Sequence, residues 1–224
     1  VLVLRAAEDA AATAARLRAR GHEPLVAPLL DPRPLAWTPP ATRPEALALT
    51  SARAARMAGP ALAAFADLPA WCVGEATAGA ARAAALPLAR ALGEGGAAGL
   101  AAAIAELRPV PARLLWLAGR DRVAIPPIAG CVVDERAVYA VELLPLDTVA
   151  AVALRAGAVE RVLLHSPRMA AHFAAECDRL EVPRAGVALA ALSPGVAQAA
   201  GSGWAAVAIA PRTEEAALLA AAGL

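Results

Sequence analysis

A short phrase recurs along this chain. An apolar strand runs into a small-residue turn carrying a hydroxyl, and the turn runs into an alanine-rich helix. It is written as Ala48-Leu49-Thr50-Ser51-Ala52-Arg53 and again as Val162-Leu163-Leu164-His165-Ser166-Pro167-Arg168. A second pair sets Trp71-Cys72-Val73-Gly74-Glu75-Ala76-Thr77 beside Ala190-Ala191-Leu192-Ser193-Pro194-Gly195. Each turn leaves free backbone N–H groups at a helix start, able to hold a carboxylate or phosphate without a cation. The copies lie about 115 positions apart, and the pattern predicts two similar lobes facing one ligand. The correspondence extends from Leu2–Glu8 to Leu115–Asp121, and loosely from Pro24–Leu30 to Val138–Leu144.

Strands and helices alternate at this spacing. Val1–Leu4 reads as a buried strand, Ala10–Arg20 as a helix stopped by Gly21, and Glu23–Leu30 as a second strand. The proline-rich stretch Pro28–Pro44 reads as a crossing linker, and Leu144-Pro145-Leu146 as a second crossing. Between them, strand or helix units are expected at Leu47–Thr50, Ala70–Ala85, Leu100–Glu106, Leu114–Asp121 and Arg136–Val141. After them come a helix near Val149–Ala156 and strands at Val162–His165, Val187–Leu192 and Ala206–Ala210. Thr213–Ala222 closes as a helix with Thr213 as its N-cap. This alternation implies α/β lobes of flavodoxin-like type, each a parallel sheet flanked by helices. The two crossings imply a discontinuous lobe of residues 1–34 and 143–224 and a continuous lobe of 35–142. Ligands of open parallel sheets bind beyond the carboxyl ends of the strands, where the small-residue turns sit.

Composition excludes several chemistries. The 224 residues contain no lysine, so Schiff-base and P-loop lysine mechanisms are absent. A net charge of +1 with scattered arginines gives no case for nucleic acid. No long apolar run lacks a charge or proline, and Arg5, Glu8 and Asp9 interrupt the first apolar stretch, so neither a membrane span nor a secretory signal is expected. Cys72, Cys131 and Cys177 are dispersed and form no metal spacing with His22, His165 or His172; they read as reduced, packed thiols. The turns carry no GxGxxG, GxxxxGK[ST] or GxSxG signature, which removes the usual nucleotide and serine-hydrolase fingerprints.

Candidate site residues cluster at the predicted strand ends. Tyr139 is the single tyrosine; it reads either as a core aromatic with one hydroxyl partner or as a phenol able to protonate a leaving group. Thr50, Ser51, Thr77, Ser166 and Ser193 stand at or beside helix starts, where capping and ligand binding are compatible. Gly74, Gly119 and Gly195 would permit close backbone approach. Arg5, Arg53, Arg120 and Arg168 follow strand ends and suit a polyanionic ligand. Glu75, Asp121 and Asp134 stand alone, and no carboxylate pair offers an acid and a base. Anion-ready turns, one phenol and no nucleophile suggest catalysis by holding a substrate's shape.

Across nearly the whole chain these stretches resemble the uroporphyrinogen-III synthase family, in an alphaproteobacterial style. The resemblance rests on Val1–Arg5, Gly21–Leu30, Leu49–Arg53, Val73–Thr77, Leu117–Asp121, Val138-Tyr139, His165–Arg168, Leu192–Gly195 and Ala210–Glu214. It implies two α/β lobes joined by a two-stranded connector, with the linear tetrapyrrole hydroxymethylbilane in the cleft between them. It further implies loss of the substrate's hydroxyl to give an azafulvene, then ring closure with inversion of the last pyrrole through a spiro intermediate, without metal or organic cofactor. Tyr139 matches the family tyrosine proposed to help the hydroxyl leave; Thr50, Ser51, Thr77 and Ser166 match cleft positions. Substrate contacts are expected from Arg5, Thr50, Ser51, Gly74, Thr77, Gly119, Arg120, Ser166, Ser193 and Gly195. Two departures stand out: Gly195 replaces a frequent threonine, and Ala6 a frequent proline. A cytoplasmic monomer is expected, meeting hydroxymethylbilane synthase at most transiently. The alternatives are a non-catalytic two-lobed binder of an anionic metabolite and a degenerate synthase domain.

Overall fold

The computed structural model describes residues 1–93 and 95–224. In chain order the elements begin with β1 (Leu2–Val3), α1 (Ala7–Ala19), β2 (Leu25–Val26), β3 (Leu30–Pro34), β4 (Ala46–Leu49) and α2 (Ala52–Met57). A 3₁₀ turn (Pro60–Phe65) leads to β5 (Ala70–Cys72), α3 (Gly74–Ala83), β6 (Ala89–Ala91), α4 (Gly96–Ala105), β7 (Arg113–Gly119) and β8 (Val132–Leu143). Then follow α5 (Thr148–Arg155), β9 (Val162–Leu164), α6 (Pro167–Arg179), β10 (Ala188–Ala191), α7 (Pro194–Ala200), β11 (Ala206–Ile209) and α8 (Glu215–Ala221). These make two compact units: unit 1 is Val1–Asp31 with Glu142–Leu224, and unit 2 is Pro32–Val141. Among the described residues no helix is long and apolar enough to cross a membrane.

Unit 1 carries a five-stranded sheet in the order β11-β10-β9-β1-β2, all neighbours parallel. Side chains alternate across it as a pleated strand requires. Leu2, Leu4, Val162, Leu164 and Leu189 pack on one face against Ala150 and Leu154 of α5, Met169 and Phe173 of α6, and Val196 of α7. Val3, Leu163 and Ala190 face the other way, onto Ala10 and Leu17 of α1 and Leu218 and Leu219 of α8. With both faces covered, the strands read as continuous apolar runs.

Unit 2 repeats the plan. Its sheet runs β3-β8-β7-β4-β5-β6, with parallel pairing from β8 through β6. Leu47, Leu49, Leu115 and Leu117 face α2, α3 and the 3₁₀ turn; Ala46, Ala48, Leu114 and Trp116 face Leu100 and Ile104 of α4. Strand for strand, β11-β10-β9-β1-β2 of unit 1 corresponds to β6-β5-β4-β7-β8 of unit 2, with β3 added at the edge. The internal sequence alignment pairs the same strands, which supports the predicted duplication, and the two parallel-dominated sheets flanked by helices bear out the predicted fold class.

Several expectations need correction. The Pro28–Pro44 stretch is not only linker, because β3 lies within it and ends on Pro34. It is an edge strand, where a missing N–H is tolerated. Leu35 N–H donates to Val138 O at 2.9 Å and Leu144 N–H to Leu29 O at 2.9 Å, so β3 runs antiparallel to β8. The second strand shrinks to Leu25–Val26. Thr213 does not cap α8: Glu214 N–H turns back to Arg212 O at 2.8 Å, which makes Thr213 the centre of a three-residue turn, and α8 starts two residues later without a side-chain cap. The short strand β6 went unpredicted because Ala-Arg-Ala carries no strand signal.

The segment after β8 is held by α6. His172 Nε2 lies 2.7 Å from Leu144 O, and Glu176 Oε2 accepts the Leu146 N–H at 2.7 Å. Arg179 grips the same carboxylate from Nε at 2.9 Å and Nη2 at 2.6 Å. The Arg179 hydrogen bond, opposed by burial and helped by Leu146 N–H, pulls the Glu176 pKa down to about 2.

Candidate active site

In unit 2 the chain runs from β4 outward through β5 and β6, then returns to place β7 and β8 on the other side of β4. The strand order therefore reverses between β4 and β7, and open parallel sheets bind ligands beyond the carboxyl ends at such a point. Thr50 and Ser51 follow β4; Gly119 ends β7 and Arg120 follows it. Ser51 caps α2 by accepting the Arg53 N–H at 3.2 Å.

Tyr139 reaches this point through an irregularity in β8. Ala118 pairs with Ala137, but Gly119 pairs with Tyr139, so Val138 is an extra residue on β8. Such a bulge re-aims side chains. Here it turns both Val138 and Tyr139 to the sheet face that α2 and α3 cover. The half-buried Tyr139 ring crosses directly over Gly119, and a Cβ at Gly119 would stand 2.7 Å from Tyr139 Cζ and 2.9 Å from its hydroxyl. The phenol ends 3.5 Å from Ser51 Oγ, a long hydrogen bond. The Arg120 N–H donates to Tyr139 O at 2.8 Å. Tyr139 thus spans the β7 and β4 ends, its hydroxyl making one long hydrogen bond.

Arg122 braces the turn beneath it, a role the sequence did not signal. Its Nη1 donates to Gly119 O at 3.3 Å and Arg120 O at 3.1 Å, while Nη2 pairs with Glu135. Gly74 opens α3 with φ +72°, and its Cβ position is open space. Thr77 is buried one turn into α3 and is not its cap. Of the lone carboxylates, Glu75 pairs with Arg82 and Asp134 with Arg113.

Unit 1 has its own reversal, between β9 and β1. Ser166 caps α6 by accepting the Met169 N–H at 3.3 Å, and Ser193 caps α7 by accepting the Val196 N–H at 3.4 Å. Gly195 lies in the first turn of α7, where a Cβ would meet only Ser193 Oγ at 4.0 Å. Arg5 is internally engaged: Nη1 stands 3.3 Å from Thr13 Oγ1 and 3.4 Å from Glu215 Oε1, and Nη2 stands 3.8 Å from Asp9. Glu215 also pairs with Arg16 and accepts from the wholly buried Thr13. His165 follows β9 with both ring nitrogens buried and neither making a sound hydrogen bond. Burial drives its pKa down to about 4; the Arg5 cation adds to the fall, and Glu215, a weak contact with the Leu163 backbone and Asp9 oppose it. The sequence presented His165 only as one of three scattered histidines.

The structure therefore gathers Thr50, Ser51, Gly119, Arg120 and Tyr139 at one reversal, and Arg5 and Ser166 at the other. Gly74 and Thr77 stand one strand along, after β5, as Ser193 and Gly195 do after β10. A groove of about 540 Å³ in unit 2, lined by Arg56, Arg82 and Ala83–Ala85, lies at the C-terminal ends of α2 and α3. That is the amino edge of the strands, away from Tyr139, and we do not place the site there. No group of three or more potential metal ligands occurs among the described residues. Burial raises the Cys72 thiol to about 11 and the Cys177 thiol to about 12, as expected of inert packed cysteines.

Comparison with known proteins agrees with this fold. The chain is similar in structure to the uroporphyrinogen-III synthetase of Helicobacter pylori, with a TM-score of 0.61 and 16% identity over 89% of this chain and 91% of that one. It is also similar to a mutant uroporphyrinogen III synthase of Thermus thermophilus, with a TM-score of 0.50 and 18% identity over 98% and 96% of the two chains. At such identities the likeness is one of fold. No curated protein matches in sequence. The sequence model of the family described as uroporphyrinogen-III synthase HemD, however, matches residues 11–220, and on that match the chain belongs to the uroporphyrinogen-III synthase family.

Proposed function

We propose that this protein is a working uroporphyrinogen-III synthase, a hydro-lyase that cyclises hydroxymethylbilane to uroporphyrinogen III in heme biosynthesis, and that Tyr139 is its general acid. Membership of the family supports the reaction. The observation that carries the residue assignment is the Tyr139 phenol lying over Gly119 at the β4/β7 reversal.

In this reading the phenol gives its proton to the departing hydroxyl as the C–O bond breaks, so that water leaves. Loss of the pyrrole N–H proton completes the azafulvene, and that proton restores the phenol. A long Ser51 contact leaves the phenolic proton free to be donated, and general acid help of this kind is worth about 10²–10⁴-fold in rate. Helix starts at Ser51, Gly74, Ser166, Ser193 and Gly195, together with Arg5, Arg120, Thr50 and Thr77, hold the acetate and propionate arms. Uncatalysed closure gives the non-inverted isomer, so holding the chain's shape decides the product. The protein acts as a cytoplasmic monomer and needs no more than a transient meeting with hydroxymethylbilane synthase.

A coupled assay tests this. Porphobilinogen and hydroxymethylbilane synthase supply the substrate, and the oxidised porphyrins are separated by isomer. Isomer III appearing on addition of this protein supports the reading; isomer I alone from folded protein overturns it and favours a non-catalytic binder.

A further inference from the structure

The β1/β9 reversal of unit 1 holds one group that capping and packing do not explain. His165 stands immediately before the capping Ser166, as Thr50 stands before the capping Ser51. Unit 1 thus places an imidazole where its repeat has a hydroxyl. Leaving a buried donor and a buried acceptor unbonded is unfavourable, so such groups in native proteins have a partner to account for them. The charged groups around the ring are Arg5 from the end of β1, Asp9 from α1 and Glu215 from α8. Arg5 is held by long contacts only, 3.3 Å from Thr13, 3.4 Å from Glu215 and 3.8 Å from Asp9, whereas Glu215 has a closer partner in Arg16. Arg5 can therefore turn toward another anion without leaving Glu215 unpaired.

We propose that His165 is a carboxylate-recognising residue of unit 1, its ring N–H meeting an acid arm of the substrate that Arg5 draws to the end of β1. This rests on the uroporphyrinogen-III synthase reading. A neutral imidazole has one N–H to give and adds no charge; Arg5 supplies the charge. Contact is made as the arriving carboxylate takes up Arg5 beside His165. An anion beside the ring then favours its protonated form.

Ring-proton NMR of the three histidines, assigned with His22→Gln, His165→Phe and His172→Gln, tests this directly. The probe is uroporphyrin III, a stable octacarboxylate. The expected result is a pKa rise of about one unit or more at His165 alone. In parallel, His165→Phe raises the KM for hydroxymethylbilane several-fold with kcat nearly unchanged, and His165→Asn, which keeps an N–H donor, recovers part of the loss. An unmoved His165 titration with uroporphyrin III bound overturns the proposal, as does an unchanged KM in a folded His165→Phe. If the wild-type protein makes no isomer III, the synthase reading fails by itself, and the uroporphyrin titration still decides whether His165 recognises acids.

Discussion

The Tyr139 ring rests on Gly119, its hydroxyl close enough that a single added methyl at Gly119 would stand 2.7 Å from the ring carbon bearing it. The glycine is the seat of the phenol, and the β8 bulge delivers the phenol to that seat. Gly119→Ala is therefore expected to displace the ring, at about 1–3 kcal/mol of stability. Isomer III formation should fall much further than the fold does. A Gly119→Ala protein that melts lower yet turns over normally would separate the ring's placement from catalysis.

Tyr139→Phe removes only the hydroxyl and its long contact with Ser51. The stability change should stay under about 1 kcal/mol, since the lost hydrogen bond is long and half-exposed. Turnover should drop by about 10²-fold or more if the phenol is the acid. Single-turnover rates of isomer III formation measure this, and unchanged turnover removes Tyr139 from the mechanism.

Gly195 stands where the sequence resemblance implies a threonine, and the structure leaves room for one. Gly195→Thr should fold as well as the parent, because the backbone there is helical and not left-handed. The added hydroxyl at the start of α7 should lower the KM for hydroxymethylbilane. A KM that stays put would mean that the backbone donors of this turn already suffice.

Acid stability should fall in two separate steps. His165 has a folded pKa of about 4 against 6.5 unperturbed, so the unfolded chain binds its proton first. Its stabilising share is complete above pH 6.5 and is lost as pH falls toward 4, by roughly 3 kcal/mol in all. Glu176, held near 2 against 4.5, contributes above pH 4.5 and loses its share as pH falls toward 2. Between pH 6.5 and 4 the melting temperature of wild type should fall more steeply than that of His165→Phe, and an equal slope in the two would assign the upper step to other groups.

Glu176→Gln keeps the shape of the clamp on Leu146 but discharges it. The loss of charge-assisted bonds to Leu146 N–H and Arg179 should cost about 2 kcal/mol, and the lower acid step should disappear. Urea unfolding at neutral pH and at pH 3 checks both parts; an undiminished acid step would assign it to other carboxylates.

Much of the architecture was legible because it is local. Continuous apolar runs in Leu47–Leu49 and Leu115–Leu117, serines before helices at 51, 166 and 193, and the shared phrase in both halves all leave marks within a few residues. The edge strand β3 was hidden by its own prolines, and α8 began late because a tight turn took Thr213 out of the helix.

By itself, the sequence determined two parallel α/β sheets, the serine-capped turns at their carboxyl ends and a lone tyrosine near one of them, since propensity, apolar runs and capping depend on neighbours in the chain. Tertiary structure alone decided that Tyr139 crosses Gly119 to Ser51 and that the His165 ring nitrogens are buried within reach of the Arg5 charge, with Arg5 held by Glu215, 210 residues away. Those relations depend on strand order, on one extra residue in β8 and on exclusion of water, none of which leaves a mark in local sequence.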